Sequence, residues 1–315
     1  MKNDKRNNTK PLSLFLSPGE TRLRAGWRLI LHGVINIFFM LIIGALVAIG
    51  LLFAGRTSES IFEEGTLLLA FLISIPSITL STILARRLLD RKSFISLGFE
   101  WRRYALRDLI VGILIPGFIM GMIFLVEWGF GWLEIQSFAW EQVPSGDVFL
   151  GLLGGFLIYI AVGYQEELLS RGYQLQNLVE GTNLRAGIFL SSLIFAALHL
   201  GNPFTSFWST VGLIFAGYFL AYGWVRTKQL WLSIGLHIGW NFFEGNVFGF
   251  PVSGTDSFRL VHHTVSGPAW ITGGNFGPEA GFIVLPGMLF GALLIWAYTE
   301  WGRGKHDLLP SPEAQ

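Results

Sequence analysis

Residues 27–53, WRLILHGVINIFFMLIIGALVAIGLLF, form an apolar run whose only ionisable side chains are Arg28 and His32, near its start. Coiled at 1.5 Å per residue the run measures about 40 Å, enough to cross a hydrocarbon core of about 30 Å. It is too long for a signal-peptide core, and no small-residue cleavage pattern follows it, so it reads as a retained first membrane helix. Outward from it the pattern recurs. Seven further segments, at about 66–85, 109–131, 148–178, 184–200, 208–225, 230–248 and 281–301, have the character of membrane helices, with boundaries good to about 2–4 residues. The fold class is therefore all-α: a polytopic membrane protein of about eight transmembrane helices.

Composition agrees. Hydrophobic residues make up 52% of the 315 positions and charged residues 14%, against about 25% charged in soluble chains. The 28 Phe and 12 Trp suit lipid-facing helices with interfacial anchors. A net charge of +1 gives no reason to expect a nucleic-acid partner; the partner that composition implies is the lipid bilayer. Cysteine is absent, which removes disulfides, thiolate catalysis and Cys-ligated zinc together.

Charge placement tests the helix count. Lys2, Lys5, Arg6, Lys10, Arg22 and Arg24 precede the first helix; Arg86, Arg87, Arg91, Lys92, Arg102, Arg103 and Arg107 follow the second; Arg226 and Lys228 follow the sixth, and Arg303 and Lys305 the eighth. The connections after the first and third are acidic, with Glu59, Glu63 and Glu64, then Glu127, Glu134, Glu141 and Asp147. An even number of spans puts every basic connection on one side, which the positive-inside rule makes cytoplasmic, with both termini. The expected location is a prokaryotic plasma membrane. Phe94–Arg103 reads as an amphipathic stretch at the cytoplasmic surface, and Gly249–Gly281, with His262 and His263, as a long external loop and a candidate lid.

Ionisable groups in hydrocarbon are costly, by about 2.5–3.5 kcal/mol each on insertion scales. Polar residues collect on helices 4, 5 and 7. Helix 4 carries Glu166, Glu167 and Arg171. Glu167 and Arg171 stand four apart and can pair on one face. Glu166 points about 100° away with no partner on its own helix, which makes it a candidate general base. Both glutamates serving Arg171 in a structural network is the competing reading. Helix 5 ends with Phe195 and His199 on one face, and His199 can equally be a satisfied structural group. Helix 7 carries His237 and Asn241 four apart, able to donate to a common oxyanion, or to act as interhelical glue. Rise per residue puts Glu166, His199, His237 and Asn241 in one broad zone near mid-membrane.

Three motifs now stand in order: Glu-Glu-x-x-x-Arg at 166–171, Phe-x-x-x-His at 195–199 and His-x-x-x-Asn at 237–241. Together they resemble the CAAX prenyl protease and bacteriocin-processing (CPBP, or ABI) family of intramembrane glutamic endopeptidases, over about residues 85–248. The resemblance implies a peptide-bond hydrolase in which Glu166 and His199 activate water, His237 and Asn241 stabilise the oxyanion, and Glu167, Arg171 and Phe195 support the site. It implies a peptide or protein substrate, with or without a lipid. On that reading residues 1–25 are a cytoplasmic segment, 26–302 one transmembrane domain with its protease core at 148–248, and 303–315 a cytoplasmic tail. No cofactor is expected, although Glu166, His199 and His237 are an acceptable zinc set. A non-catalytic scaffold or a transporter using the same polar cluster for binding is the alternative, though no inverted repeat of the transporter kind is present.

Overall fold

The computed structural model describes residues 14–17, 20–55 and 66–303, without the side chains of residues 66 and 67. Lys2, Lys5, Arg6 and Lys10, the loop acids Glu59, Glu63 and Glu64, and the tail from 304 with Lys305 lie outside the described residues. All eight expected segments are helices. They are α1 (Ala25–Phe53), α2 (Thr66–Leu88), α3 (Ala105–Gly129), α4 (Ser145–Glu167, continued by Leu168–Gln174 and Leu175–Gly181), α5 (Leu184–Leu198), α6 (Phe207–Thr227), α7 (Trp231–Asn241, continued by Phe242–Val247) and α8 (Val284–Ala297, continued to Gly302). Six of them are long and apolar enough to cross a membrane. The other two, α5 and α7, are shorter. The chain is a polytopic all-α membrane protein.

The layering follows from where each helix is apolar. In α1 only Ala25, Arg28 and His32 are buried, and its other apolar side chains face outward, so it is a peripheral helix that lies on α2. At the centre stands α7, in which every residue from Leu232 to Asn241 is buried. It can be short because neighbouring helices cover its ends, so its terminal backbone groups need not meet lipid. Gly235 and Gly239, spaced as small residues at close helix crossings are, let α7 lie against the backbone of α3: a Cβ on Gly235 would stand 3.0 Å from the Cα of Gly112. Helices α4 and α6 flank α7 on its other sides.

One face carries the basic residues and is tied by ion pairs. Arg28 Nη1 lies 2.8 Å from Asp90 Oδ1 and Arg86 Nη1 lies 2.9 Å from Asp90 Oδ2, while Arg28 also reaches Glu180 at 3.2 Å. The start of α1, the end of α2 and the end of α4 are thereby joined. On the same face Arg303 pairs with Asp108 at 3.3 Å and Arg226 with Glu300.

Phe94–Arg103, expected as an amphipathic stretch at the surface, contains one short helical turn. A single 3-10 turn at Ile95–Leu97 drives Leu97 fully inside, and Gln176 Nε2 donates to the Leu97 carbonyl at 2.7 Å. On the opposite face the expected loop is built structure. Strand β1 (Leu133–Phe138) pairs antiparallel with β2 (Val261–Val265), with a bulge between Ile135 and Ser137. His263 anchors this ribbon, its ring 6.0 Å from that of Phe124 and 4.9 Å from that of Phe250; burial pushes its pKa down to about 4.

Candidate active site

The glutamate pair sits where the α-helical turn of α4 gives way to a π segment, Leu168–Gln174, a distortion frequent at functional sites. Glu167 is fully buried and Arg171 nearly so, and Arg171 Nη1 donates to Glu167 Oε1 at 2.8 Å. The expected pair four residues apart is therefore made. The same Oε1 atom also receives His237 Nδ1 from α7 at 2.8 Å, a bond between helices that no local pattern announces. Arg171 further donates to the Gly217 carbonyl at 3.2 Å and lies 4.3 Å over the Phe195 ring.

Glu166 turns to the other side, as its position one residue earlier on the helix requires. Its Oε2 stands 3.6 Å from His199 Nε2 and 3.8 Å from His237 Nε2. Both separations exceed a direct hydrogen bond and fall in the range of water-bridged contacts. His199 is the residue that caps the end of α5, and its Nδ1 lies 2.8 Å from the Phe195 carbonyl. A carbonyl only accepts, so Nδ1 carries the proton, and the Nε2 of neutral His199 presents a lone pair to the glutamate. The Phe195 ring packs 4.7 Å from the His199 ring and 6.2 Å, edge-on, from His237.

Glu166, His199, His237 and Asn241 line one cavity of about 330 Å³. Its apolar wall comes from α6, through Leu213, Ala216, Phe219 and Leu220. A further wall comes from the 249–281 loop, the candidate lid, through Val252, Ser253, Thr255 and Glu279, residues that the sequence did not single out. Glu279 accepts from Trp240 Nε1 at 3.0 Å and from Ser253 Oγ at 2.5 Å, and burial raises its pKa. An acid in a polar loop is ordinarily solvated, so only the fold reveals that this one faces the site.

The donor set that zinc would use converges, but among the described residues no three His, Asp or Glu side chains form a group arranged to hold a metal ion.

In comparison with known proteins, residues 147–243 fit the family model described as type II CAAX prenyl endopeptidase Rce1-like. No curated protein and no solved structure matches the chain. The matched segment carries all three motifs, from Glu166 through Asn241. Over residues 147–243 this integral membrane protein is therefore similar to the Rce1-like type II CAAX prenyl endopeptidases.

Proposed function

We propose that the chain hydrolyses a peptide bond within the bilayer by means of a water activated jointly by Glu166 and His199, with no metal taking part. The observation that carries this reading is one carboxylate oxygen, Glu166 Oε2, set 3.6 and 3.8 Å from the Nε2 atoms of two imidazoles delivered by different helices. A water held between Glu166 and the lone pair of His199 loses its proton to the carboxylate as it attacks the scissile carbonyl. The tetrahedral oxyanion then needs donors. His237 and Asn241, both at the cavity wall, are in place to supply them.

The bond to Glu167 sets a condition on His237. A carboxylate oxygen at 2.8 Å fixes a proton on Nδ1, so Nε2 donates only when the ring is the imidazolium. The surrounding charges make that state balanced: Glu166 and Glu167 are two negative charges, and Arg171 with protonated His237 are two positive ones. As the intermediate collapses, Glu166 returns its proton to the leaving amine, and the carboxylate is restored.

By the positive-inside rule the basic face is the cytoplasmic one, which puts both termini there. The one domain is the eight-helix bundle, its catalytic part lying at about 148–248. The test is a comparison of peptides accumulating in cells that carry wild-type or Glu166→Gln protein. The expected outcome is that specific fragments disappear in the variant while the protein level and thermal stability stay unchanged. Fragments that persist at the wild-type level in Glu166→Gln cells defeat the reading.

A further inference from the structure

We infer that a second cavity, between the start of α1 and the end of α4 on the basic face, holds the phosphate of an anionic phospholipid headgroup. This cavity measures about 610 Å³ and shares no lining residue with the glutamate site. Two of its walls are helix ends in close contact: a Cβ on Gly181, at the end of α4, would stand 2.5 Å from the Cβ of Ala25. The third wall is the segment before α1. It doubles back on itself through the antiparallel bridge of Leu16 with Leu23, and the Arg24 amide donates to the Phe15 carbonyl at 2.8 Å.

The charges in this cavity leave cationic capacity over. Helix α1 has 29 residues, yet no side chain caps its start and its first turn carries no acid. The positive end of its dipole therefore stands uncompensated, a setting that attracts anions. Arg28 adds an independent observation. Its side chain is only 2% exposed, its Nη1 is spent on Asp90 and Glu180, and its buried Nε has no partner. Arg24 donates from Nε to the Leu16 carbonyl at 3.1 Å and makes no ion pair among the described residues. The acids beside them are already engaged: Arg22, Arg28 and Lys92 all converge on Glu180, and Arg22 also takes Glu20. A phosphate is the group that would use the remaining donors together.

The rim selects a lipid as the source of that phosphate. Ile30 lines the cavity and is exposed, on a helix whose outward face is apolar along its length. Leu14 and Phe15 are exposed beside it. Trp27 joins the two parts: its ring lies 5.3 Å from that of Phe15, and its Nε1 donates to the Leu14 carbonyl at 3.2 Å. A tryptophan at the start of a membrane helix sits at headgroup level. A phospholipid there lays its acyl chains along Ile30 and the apolar rim and its phosphate among the arginines, whereas a free phosphate gains nothing from the rim. Space is available, since a Cβ on Gly26, in the first turn of α1, would meet nothing within 4 Å.

The full chain, purified in a neutral detergent, is titrated with phosphatidylglycerol, phosphatidylcholine or inorganic phosphate, and bound molecules are counted by native mass spectrometry. One phosphatidylglycerol is expected to bind about tenfold more tightly than phosphatidylcholine, the scale of one hydrogen bond to a charged group. Arg24→Gln, at an exposed position, is expected to lose most of that preference. Arg87→Gln removes an exposed charge from the same face outside the lining and is expected to keep the preference within about twofold, its charge being screened by solvent. Gly26→Asp is expected to abolish the preference with an unchanged or raised melting temperature, since the new carboxylate takes the anion's place at the helix start. The inference is overturned if the two lipids bind alike, if Arg87→Gln costs as much as Arg24→Gln, or if Gly26→Asp keeps the full preference. Displacement of phosphatidylglycerol by inorganic phosphate at equal concentration overturns the lipid as occupant. None of these readings involves cleavage, so they stand or fall apart from the proteolytic mechanism.

Discussion

Gly239→Ala would test whether the helix crossing sets the catalytic geometry. A Cβ at position 239 would meet the Ile113 carbonyl oxygen at 2.2 Å, its Cα at 2.7 Å and its carbonyl carbon at 2.8 Å. The first distance is 1.2 Å short of the 3.4 Å at which ordinary contact begins. All three obstacles are backbone atoms of α3, so no side chain can swing aside. The whole of α7 must retreat by about 1 Å, the scale on which a misplacement costs about 100-fold in rate. His237 and Asn241 flank the substituted position by two residues and travel with it, while Glu166 and His199 on the other helices do not. The expected loss of about 100-fold in kcat corresponds to about 2.7 kcal/mol of transition-state stabilisation. Overpacking also costs about 1–3 kcal/mol of stability, which a domain with about 5–15 kcal/mol survives. Turnover is measured on purified protein, normalised to the folded fraction, with the peptide whose release depends on Glu166. Gly154→Ala is the control, since nothing lies within 4 Å of its added carbon. A folded Gly239→Ala protein that turns over at the Gly154→Ala rate refutes the reasoning.

Three further outcomes are expected. His199→Ala, like Glu166→Gln, abolishes cleavage with little change in melting temperature, because neither side chain is fully buried or part of the Arg171 pair; a large drop in melting temperature would recast the pair as structural. Glu167→Gln leaves the Arg171 guanidinium buried without its counter-charge, and removing one partner of a buried pair costs about 3–5 kcal/mol. Denaturant unfolding reads that loss, and Glu167→Gln protein as stable as wild type contradicts the assigned pairing. Cleavage persists after treatment with a strong zinc chelator and is not stimulated by added zinc, as a rate assay in dialysed protein would show; inactivation reversed by zinc counts against the metal-free mechanism.

The helices were legible because each crossing needs a long apolar run, and the bilayer leaves few other ways to satisfy its backbone. The exceptions are instructive. Helices α5 and α7 fall below the length of a full span, yet their apolar content marked them, since protein as well as lipid can cover an apolar helix. Glu167 and Arg171 were readable as a pair because they share one helix. The bond from Glu167 to His237 spans 70 positions and two helices, so no spacing encodes it. The same holds for the ribbon: Leu133 meets Val265 across a separation that local alternation cannot specify. Glu279 escaped for a different reason. Its loop is polar, and the feature that makes an acid conspicuous, an apolar helix around it, is absent there.

The placement of Glu167 couples two properties that are usually separable. One of its oxygens, Oε1, holds Arg171 of its own helix and His237 of the neighbouring one, so a single atom both cancels a buried charge and aims an imidazole. A substitution of Glu167 that releases Arg171 also frees His237, and a site without that orientation keeps Glu166 but loses the donor facing it. The converse does not hold: removing His237 leaves the Glu167–Arg171 pair intact and charge-neutral. His237→Ala is therefore the substitution that separates the two roles, losing oxyanion stabilisation while sparing most of the stability that Glu167→Gln forfeits. That asymmetry follows from which group sits in the middle of the chain of contacts.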